Sequence, residues 1–342
     1  MSFFSAHFFE HHEMDNRKII DVAAAAIVDG QGQVLLAQRL AHLHQGGKWE
    51  FPGGKFEPGE TAEQALLREL HEELDITVHD YQPLIRLVHH YPEKSVRLHV
   101  FTVTRFSGLP KGKEGQALQW ADISRLRSFQ FPDANYPIVS AVQLPELMLI
   151  TPAWASFEND IDQLLQFLQK KIANGISLLQ LRLPDCDDTT YLDIVQRLQA
   201  SGLLERCRLM LNRDPQLIAR FANVGWHISG EHVEAAQAIL AKGMRPDWLS
   251  MSIHGRDEWH ARRMLEPDFV LLSPVKATAS HPESTALGWQ KFAEIAEEIN
   301  CPVYALGGMN VEDLIHAKQS GAQGIAGISC FQQDDKTAPA MP

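Results

Sequence analysis

Cysteine is scarce and confined in this chain: Cys186, Cys207, Cys301 and Cys330 are the four present in 342 residues, and no pair has the CxxC spacing. That argues against a disulfide framework or a zinc ribbon, so the four read as reduced, packed thiols. No uncharged apolar run approaches the ~20 residues that a membrane helix needs. The opening MSFFSAHFFEHHEM lacks the basic start of a signal peptide, so no membrane partner and a cytoplasmic location are expected. His7, His11 and His12 in that stretch read as a frayed tail rather than a metal site. Positive charge is also short, with 31 Lys and Arg against 43 Asp and Glu and a formal net charge of −12. Without a cationic surplus, a nucleic acid polymer is not expected as a partner. A mononucleotide stays open, because metal ions can meet its charge. Whether the chain pairs with itself is not legible.

What is present is ordinary globular material: 45% hydrophobic and 22% charged residues, in a length that suggests two domains. The most informative stretch is GGKFEPGETAEQALLRELHEELDI at 53–76. A helix over Ala62–Leu74 places Glu69 and Glu73 at i and i+4, with Glu72 beside them. Like charges stacked this way repel, whereas a site for a hard divalent cation needs several carboxylate oxygens at close range. Leu66, Leu67, Leu70 and Leu74 form the expected apolar stripe on the other side. Pro52-Gly53-Gly54 and Pro58-Gly59 predict a tight loop whose backbone can approach a ligand.

Residues 54–76 resemble the Nudix box: Gly54, five residues, Glu60, seven residues, then Arg68-Glu69-Leu70-His71-Glu72-Glu73. Asp75 stands where that family has Gly, which usually ends the helix in a left-handed conformation; Asp tolerates it. The resemblance implies hydrolysis of a nucleoside diphosphate linked to another group, with Mg2+ or Mn2+ activating water and neutralising phosphates. It extends, in the order of MutT-type 8-oxo-dGTP diphosphatases, through Gln38-Arg39, WEFPGGK at 49–55, GKEGQ at 112–116 and FPDANYP at 131–137. What it implies about the site is a metal set of Gly53, Glu69, Glu72, Glu73 and Glu114, with Arg68 orienting a glutamate. Implied substrate contacts are Arg39, Glu50, Phe51, Gly54, Lys55, Lys94 and Asn135. Lys94 sits where that subfamily often has Arg. Asn135 would read the oxidised purine edge, since an amide carries both a donor and an acceptor.

Val22–Val28 and Val34–Gln38 read as a hairpin across DGQGQ, followed by strands at 84–89, 97–104 and 120–123 and a closing helix at 134–142. This predicts an α/β/α sandwich for residues 1–144. From 147 onward eight short apolar runs alternate with helix-length segments: 147–151, 178–183, 208–212, 225–228, 248–253, 269–274, 303–306 and 324–328. Parallel strands need such crossovers, so residues 145–342 are expected to form a (β/α)8 TIM barrel with its site at the strands' C-terminal ends and its last helix shortened or absent.

That half resembles the thiamine-phosphate synthase and TenI superfamily, through QLR at 180–182, GWHISGE at 225–231, SMSIH at 250–254, SPVKATASHP at 273–282 and ALGGM at 305–309. The resemblance implies a phosphorylated ligand near Gln180, Arg182, Asn212, His254, Gly307, Gly308, Gly327 and Ile328. Two aspartates that hold magnesium pyrophosphate in the synthases are matched by Arg213 and His232. Two expected lysines fall near Pro184 and at His281. These departures argue against thiamine-phosphate synthesis and leave three roles open: a tautomerase using His254 as proton shuttle, a phosphate-binding module, or a scaffold. For the whole chain, 8-oxo-dGTP hydrolysis stands beside a role in thiamine metabolism, in which a thiamine-related diphosphate would be cleaved.

Overall fold

The computed structural model describes residues 19–42, 45–277 and 285–331, so His7, His11, His12, His281 and the DDKTAPAMP tail lie outside the described residues. The chain divides into two compact units between Val139 and Ser140.

In the first unit, β1 (Ile19–Ile27), β2 (Gln33–Gln38), β3 (Trp49–Glu50) and β4 (Gly53–Lys55) precede helix α1 (Ala62–Leu74). Then come β5 (Thr77–His90), β6 (Ser95–Ser107), β7 (Leu118–Asp122) and α2 (Tyr136–Gln143), which starts beyond a 3-10 turn at Asp133–Asn135 and runs across the division at Val139. The strands form a four-stranded sheet, β4-β1-β6-β5, and a three-stranded sheet, β3-β2-β7. The predicted hairpin is therefore corrected: β1 and β2 belong to different sheets and share only the bridge Val28–Val34. The reason is burial. Ala23, Ala25 and Ile27 pack with Leu66, Leu70 and Leu74, while Ile20, Val22 and Ala24 face the other way and line a cavity. A strand covered on both faces is central, and β1 spends its two edges on β4, antiparallel, and β6, parallel. The Gly53-Gly54 segment is likewise a paired strand rather than a free loop, with Gly53 opposite Ala24 and Gly54 opposite Ala23.

Helix α1 begins at a capping box: Thr61 Oγ1 accepts from Gln64 N–H at 3.3 Å and Gln64 Oε1 from Thr61 N–H at 2.9 Å. It ends at Asp75, whose φ of 60° is the left-handed conformation anticipated there. Leu67 departs from expectation. The buried stripe is Ala65, Leu66, Leu70 and Leu74, and Leu67, rotated about 100° from Leu66, is 38% exposed.

The second unit is a closed parallel barrel of β8 (Leu147–Ile150), β9 (Leu178–Leu181), β10 (Arg208–Leu211), β11 (Gly225–Ile228), β12 (Leu249–Ile253), β13 (Phe269–Leu272), β14 (Val303–Leu306) and β15 (Gly324–Gly327). The helices α3 (Ile161–Ala173), α4 (Asp188–Ala200), α5 (Pro215–Ile218), α6 (Val233–Leu240), α7 (Arg256–Arg262), α8 (Gly288–Ala296) and α9 (Leu314–Gln319) connect them. After β15 only a 3-10 turn at Ser329–Phe331 is described. Strand alternation sorts the side chains: Leu179, Leu181, Leu249 and Met251 face the helices, whereas Leu178, Met210, Phe269 and Tyr304 fill the barrel. The same alternation turns Gln180, His227, Ser250 and Ser252 inward. All four cysteines are free thiols. No helix among the described residues is long and apolar enough to cross a membrane.

Candidate active site

Arg68 organises the acids of α1. Its guanidinium grips Glu60 with a parallel pair of bonds, Nε to Oε1 at 2.7 Å and Nη2 to Oε2 at 2.8 Å. Nη1 donates to Glu69 at 2.9 Å and to Glu72 at 3.1 Å, and Nη2 also donates to the Lys55 carbonyl at 3.0 Å. The hydrogen bonds from Arg68 hold the Glu60 carboxyl down at about 2. Glu73 is held differently: its Oε2 accepts from Gly53 N–H at 3.2 Å. Burial pushes its carboxyl up to about 8, against the Gly53 hydrogen bond and helped by repulsion from Glu69, Glu114 and Glu50. Glu69 lies directly on Gly54, where a Cβ would sit 2.2 Å from its Cδ.

Among the described residues no three acidic, His or Cys side chains converge on one metal position. Arg68 draws Glu69 and Glu72 toward itself, while Glu73 turns to Gly53. The donor chemistry nevertheless fits a hard divalent cation: carboxylate oxygens from Glu69, Glu73 and Glu114 near one another, with Glu73 pushed up by burial first and by its acidic neighbours second, so that a cation would relieve both. Glu69, Glu73 and Glu114 are the residues that would hold it, with Glu72 exposed at the edge.

On the other side of Gly53-Gly54 lies a cavity of ≈ 230 Å³. Every substrate contact implied by the sequence lines it: Arg39, Glu50, Phe51, Gly54, Lys55, Lys94 and Asn135. Arg39 is ion-paired with Glu50, whose carboxyl burial raises against that pairing. Asn135 Oδ1 accepts from Phe51 N–H at 3.4 Å, and the Phe51 and Phe131 rings stack with centroids 5.8 Å apart. Val96, Leu98, Tyr91 and Gln45 also line the cavity and escaped the sequence reading. Strand alternation from Val22 and Ala24 to their neighbours Leu98 and Val100 on β6 was the signal available for Leu98.

In the barrel, the implied ligand residues gather at the C-terminal strand ends. Gln180 is buried with its Oε1 unpartnered among the described residues. Arg182 N–H donates to Thr151 Oγ1 at 2.8 Å, and Asn212 N–H to the Leu181 carbonyl at 3.2 Å. His254 Nδ1 lies 2.9 Å from the Ser273 carbonyl oxygen. Gly307 and Gly308 have φ of 98° and 66°, where a Cβ would meet Pro274 and Lys276 at 2.8 Å. Gly327 ends β15, with Ile328 next. Arg213 is a strut: it lies over the Tyr191 ring at 4.6 Å, donates to the Leu183 carbonyl at 3.3 Å and pairs with Asp188 at 3.1 Å. His232 lies 3.6 Å from Glu231. Neither position supplies an acid.

His227 is the functional-looking barrel residue that the sequence reading passed over. Its ring nitrogens each lie 2.8 Å from a hydroxyl, Ser250 and Ser252. Burial pushes the imidazole down to about 3, from 6.5. The unfolded chain therefore takes up a proton below 6.5 that the folded one refuses, so stability falls as pH drops from 6.5 toward 3. His227→Gln is expected to flatten that dependence, as read from thermal unfolding midpoints across the range; an unaltered slope would contradict it.

Residues 23–141 match the NUDIX domain family model, and residues 147–331 match the model described as thiamine monophosphate synthase. The chain belongs to both families. The Nudix half is 36% identical over 126 residues to the 8-oxo-dGTP diphosphatase of Escherichia coli (strain K12), covering 37% of this chain and 98% of that protein. It is also 41% identical over 129 residues to the CTP pyrophosphohydrolase of the same strain, covering 36% of this chain and 91% of the relative. The synthase half is 29% identical over 191 residues to the putative thiamine-phosphate synthase 2 of Aquifex aeolicus (strain VF5), spanning 56% of this chain and 99% of that one.

Proposed function

We propose that the Nudix unit hydrolyses 8-oxo-dGTP and related oxidised purine nucleoside triphosphates to the monophosphate and pyrophosphate, and so clears mutagenic precursors from the nucleotide pool. The observation that carries this reading is the position of two glycines. Gly53 and Gly54 line the cavity on one side and touch Glu73 and Glu69 on the other, so a base seated in the cavity leads its phosphates onto the acids. Water adds across the α–β phosphoanhydride, one P–O bond breaks and pyrophosphate leaves.

Glu69, Glu73 and Glu114 would hold Mg2+ or Mn2+, which when bound neutralises phosphate charge and acidifies water. Arg68 keeps Glu69 from drifting into solvent. Asn135 presents its amide N–H donors and the second acceptor site of its oxygen to the base, since Phe51 N–H occupies only one of that oxygen's two lone pairs. Absence of a β-carbon at 54 leaves room for the Glu69 carboxylate to lie against the backbone, and absence of one at 53 lets β4 pair closely with β1.

A panel of 8-oxo-dGTP, dGTP, CTP and thiamine diphosphate on the full chain tests the assignment. Hydrolysis of 8-oxo-dGTP no faster than of dGTP, with good turnover of CTP or the thiamine ester, would overturn it. Asn135→Ala is expected to lower the 8-oxo-dGTP to dGTP preference about tenfold, the worth of one hydrogen-bonded edge contact, and to lower turnover less. Equal losses on both substrates would exclude the role.

For the barrel we infer a site for a phosphorylated small molecule at the strand ends, without pyrophosphate displacement. It is supported by the backbone at Gly307-Gly308 and the buried, unpartnered Gln180 oxygen.

A further inference from the structure

The last carbonyls of a helix have no partner within it. At the end of α1 the loop 111–116 takes that role: Lys113 N–H donates to the Glu73 carbonyl and Lys111 N–H to the Leu74 carbonyl, both at 3.0 Å. Lys113 Nζ adds an ion pair to Asp75 at 3.4 Å. The loop is closed on itself by Gly115 N–H to the Gly112 carbonyl, 3.0 Å. Gln116 is folded over Gly112, where a Cβ would stand 2.1 Å from the Gln116 carbonyl oxygen and 3.1 Å from its Oε1.

The Gln116 amide then uses both of its functions. Oε1 accepts from Glu114 N–H at 2.9 Å, and Nε2 donates to the Glu73 carbonyl at 3.5 Å. One side chain thus ties the backbone of an exposed loop acid to the backbone of a helix acid. Glu114 is exposed, and its backbone N–H is gripped only through this amide among the described residues. A carboxylate on a free loop samples many positions, and ordering it at the moment a cation binds costs affinity.

We propose that Gln116 is a positioning residue, which holds Glu114 against the acids of α1 and thereby sets the affinity of the site for a divalent cation. This rests on the reading of those acids as a cation site. Supporting groups one step behind metal ligands are typically worth 10–100-fold in metal affinity.

The test is the Mn2+ dissociation constant of the full chain, read from the electron paramagnetic resonance of free Mn2+. Wild type, Gln116→Met, Glu114→Gln and the double variant are compared. Gln116→Met is expected to weaken Mn2+ binding about tenfold. Glu114→Gln weakens it at least as much, and the double variant is no weaker than Glu114→Gln alone. A residue acting only through fold stability would weaken binding in both backgrounds, so losses that multiply overturn the proposal. Unaltered binding in Gln116→Met or in Glu114→Gln overturns it equally. Gln116→Asn keeps the amide but is one methylene too short to span both partners, and the same loss is expected there. Absence of Mn2+ binding by the wild type removes the underlying cation-site reading; normal wild-type binding with unaltered Gln116 variants removes this inference alone.

Discussion

Glu73→Gln is expected to lower 8-oxo-dGTP turnover by on the order of 10²-fold or more while the fold stays intact, the range found when one preorganised charge is lost from a transition state. The substitution is nearly isosteric. A Gln oxygen still accepts the Gly53 N–H, so β4 and α1 remain joined as they are at 3.2 Å. What disappears is one carboxylate that burial and the charges of Glu69, Glu114 and Glu50 already disfavour. Without metal, the variant should therefore unfold at the same temperature as the wild type or higher. With Mg2+ present the order reverses, because only the wild type gains the stabilisation that tight ligand binding to the folded state confers. Turnover measured beside unfolding midpoints, with and without Mg2+, checks both halves. Near-normal turnover, or an equal Mg2+-induced rise in both proteins, would remove Glu73 from the site.

The neighbouring glycines separate a structural requirement from a chemical one. At Gly53, φ is 146°, and a Cβ would stand 2.1 Å from the Ala23 carbonyl oxygen and 2.7 Å from the Ala24 Cα. Both obstacles are backbone of a central strand, so Gly53→Ala must push β4 off β1. A loss of about 3 kcal/mol or more is expected, from overpacking and backbone strain together. At Gly54 the obstacle is the Glu69 carboxylate, 2.2–2.3 Å away, which can swing aside. Gly54→Ala should cost less than about 1 kcal/mol of stability. Turnover should still fall on the order of 10²-fold, because a displaced ligand side chain misplaces the reacting groups. Denaturant unfolding and kinetics on the two variants decide it: similar stability losses at both positions would show that the glycines do the same job.

Much of this was legible from local rules. The bounds of α1 and the left-handed Asp75 follow from helix periodicity and capping, which act within a few residues of chain. All eight barrel strands were placed, because each is a short apolar run closed off by polar turns. Less legible was anything decided by a partner distant in sequence. The sheet assignment of β1 depends on Ser95–Val103, far along the chain, and the Gly53-Gly54 segment became a strand because Ala23 and Ala24 leave room beside it. Leu67 looked like part of the stripe until the width of the buried face was set by β1. Gln116 and His227 carried no signal of their own, since an amide or imidazole acquires meaning only from what it bonds to.

The amino-acid order by itself determined the spacing of the acids along α1, the two-part organisation and the alternating strands of the barrel, all of which are properties of residues near one another on one chain. Only the tertiary structure decided that Gly53 and Gly54 separate a cavity from those acids, that Arg68 ties Glu60 to Glu69, and that the 111–116 loop caps the helix that carries them. The reason is physical: a helix or strand follows from local periodicity, whereas a site needs groups from different segments at hydrogen-bonding distance, and that distance is set by packing.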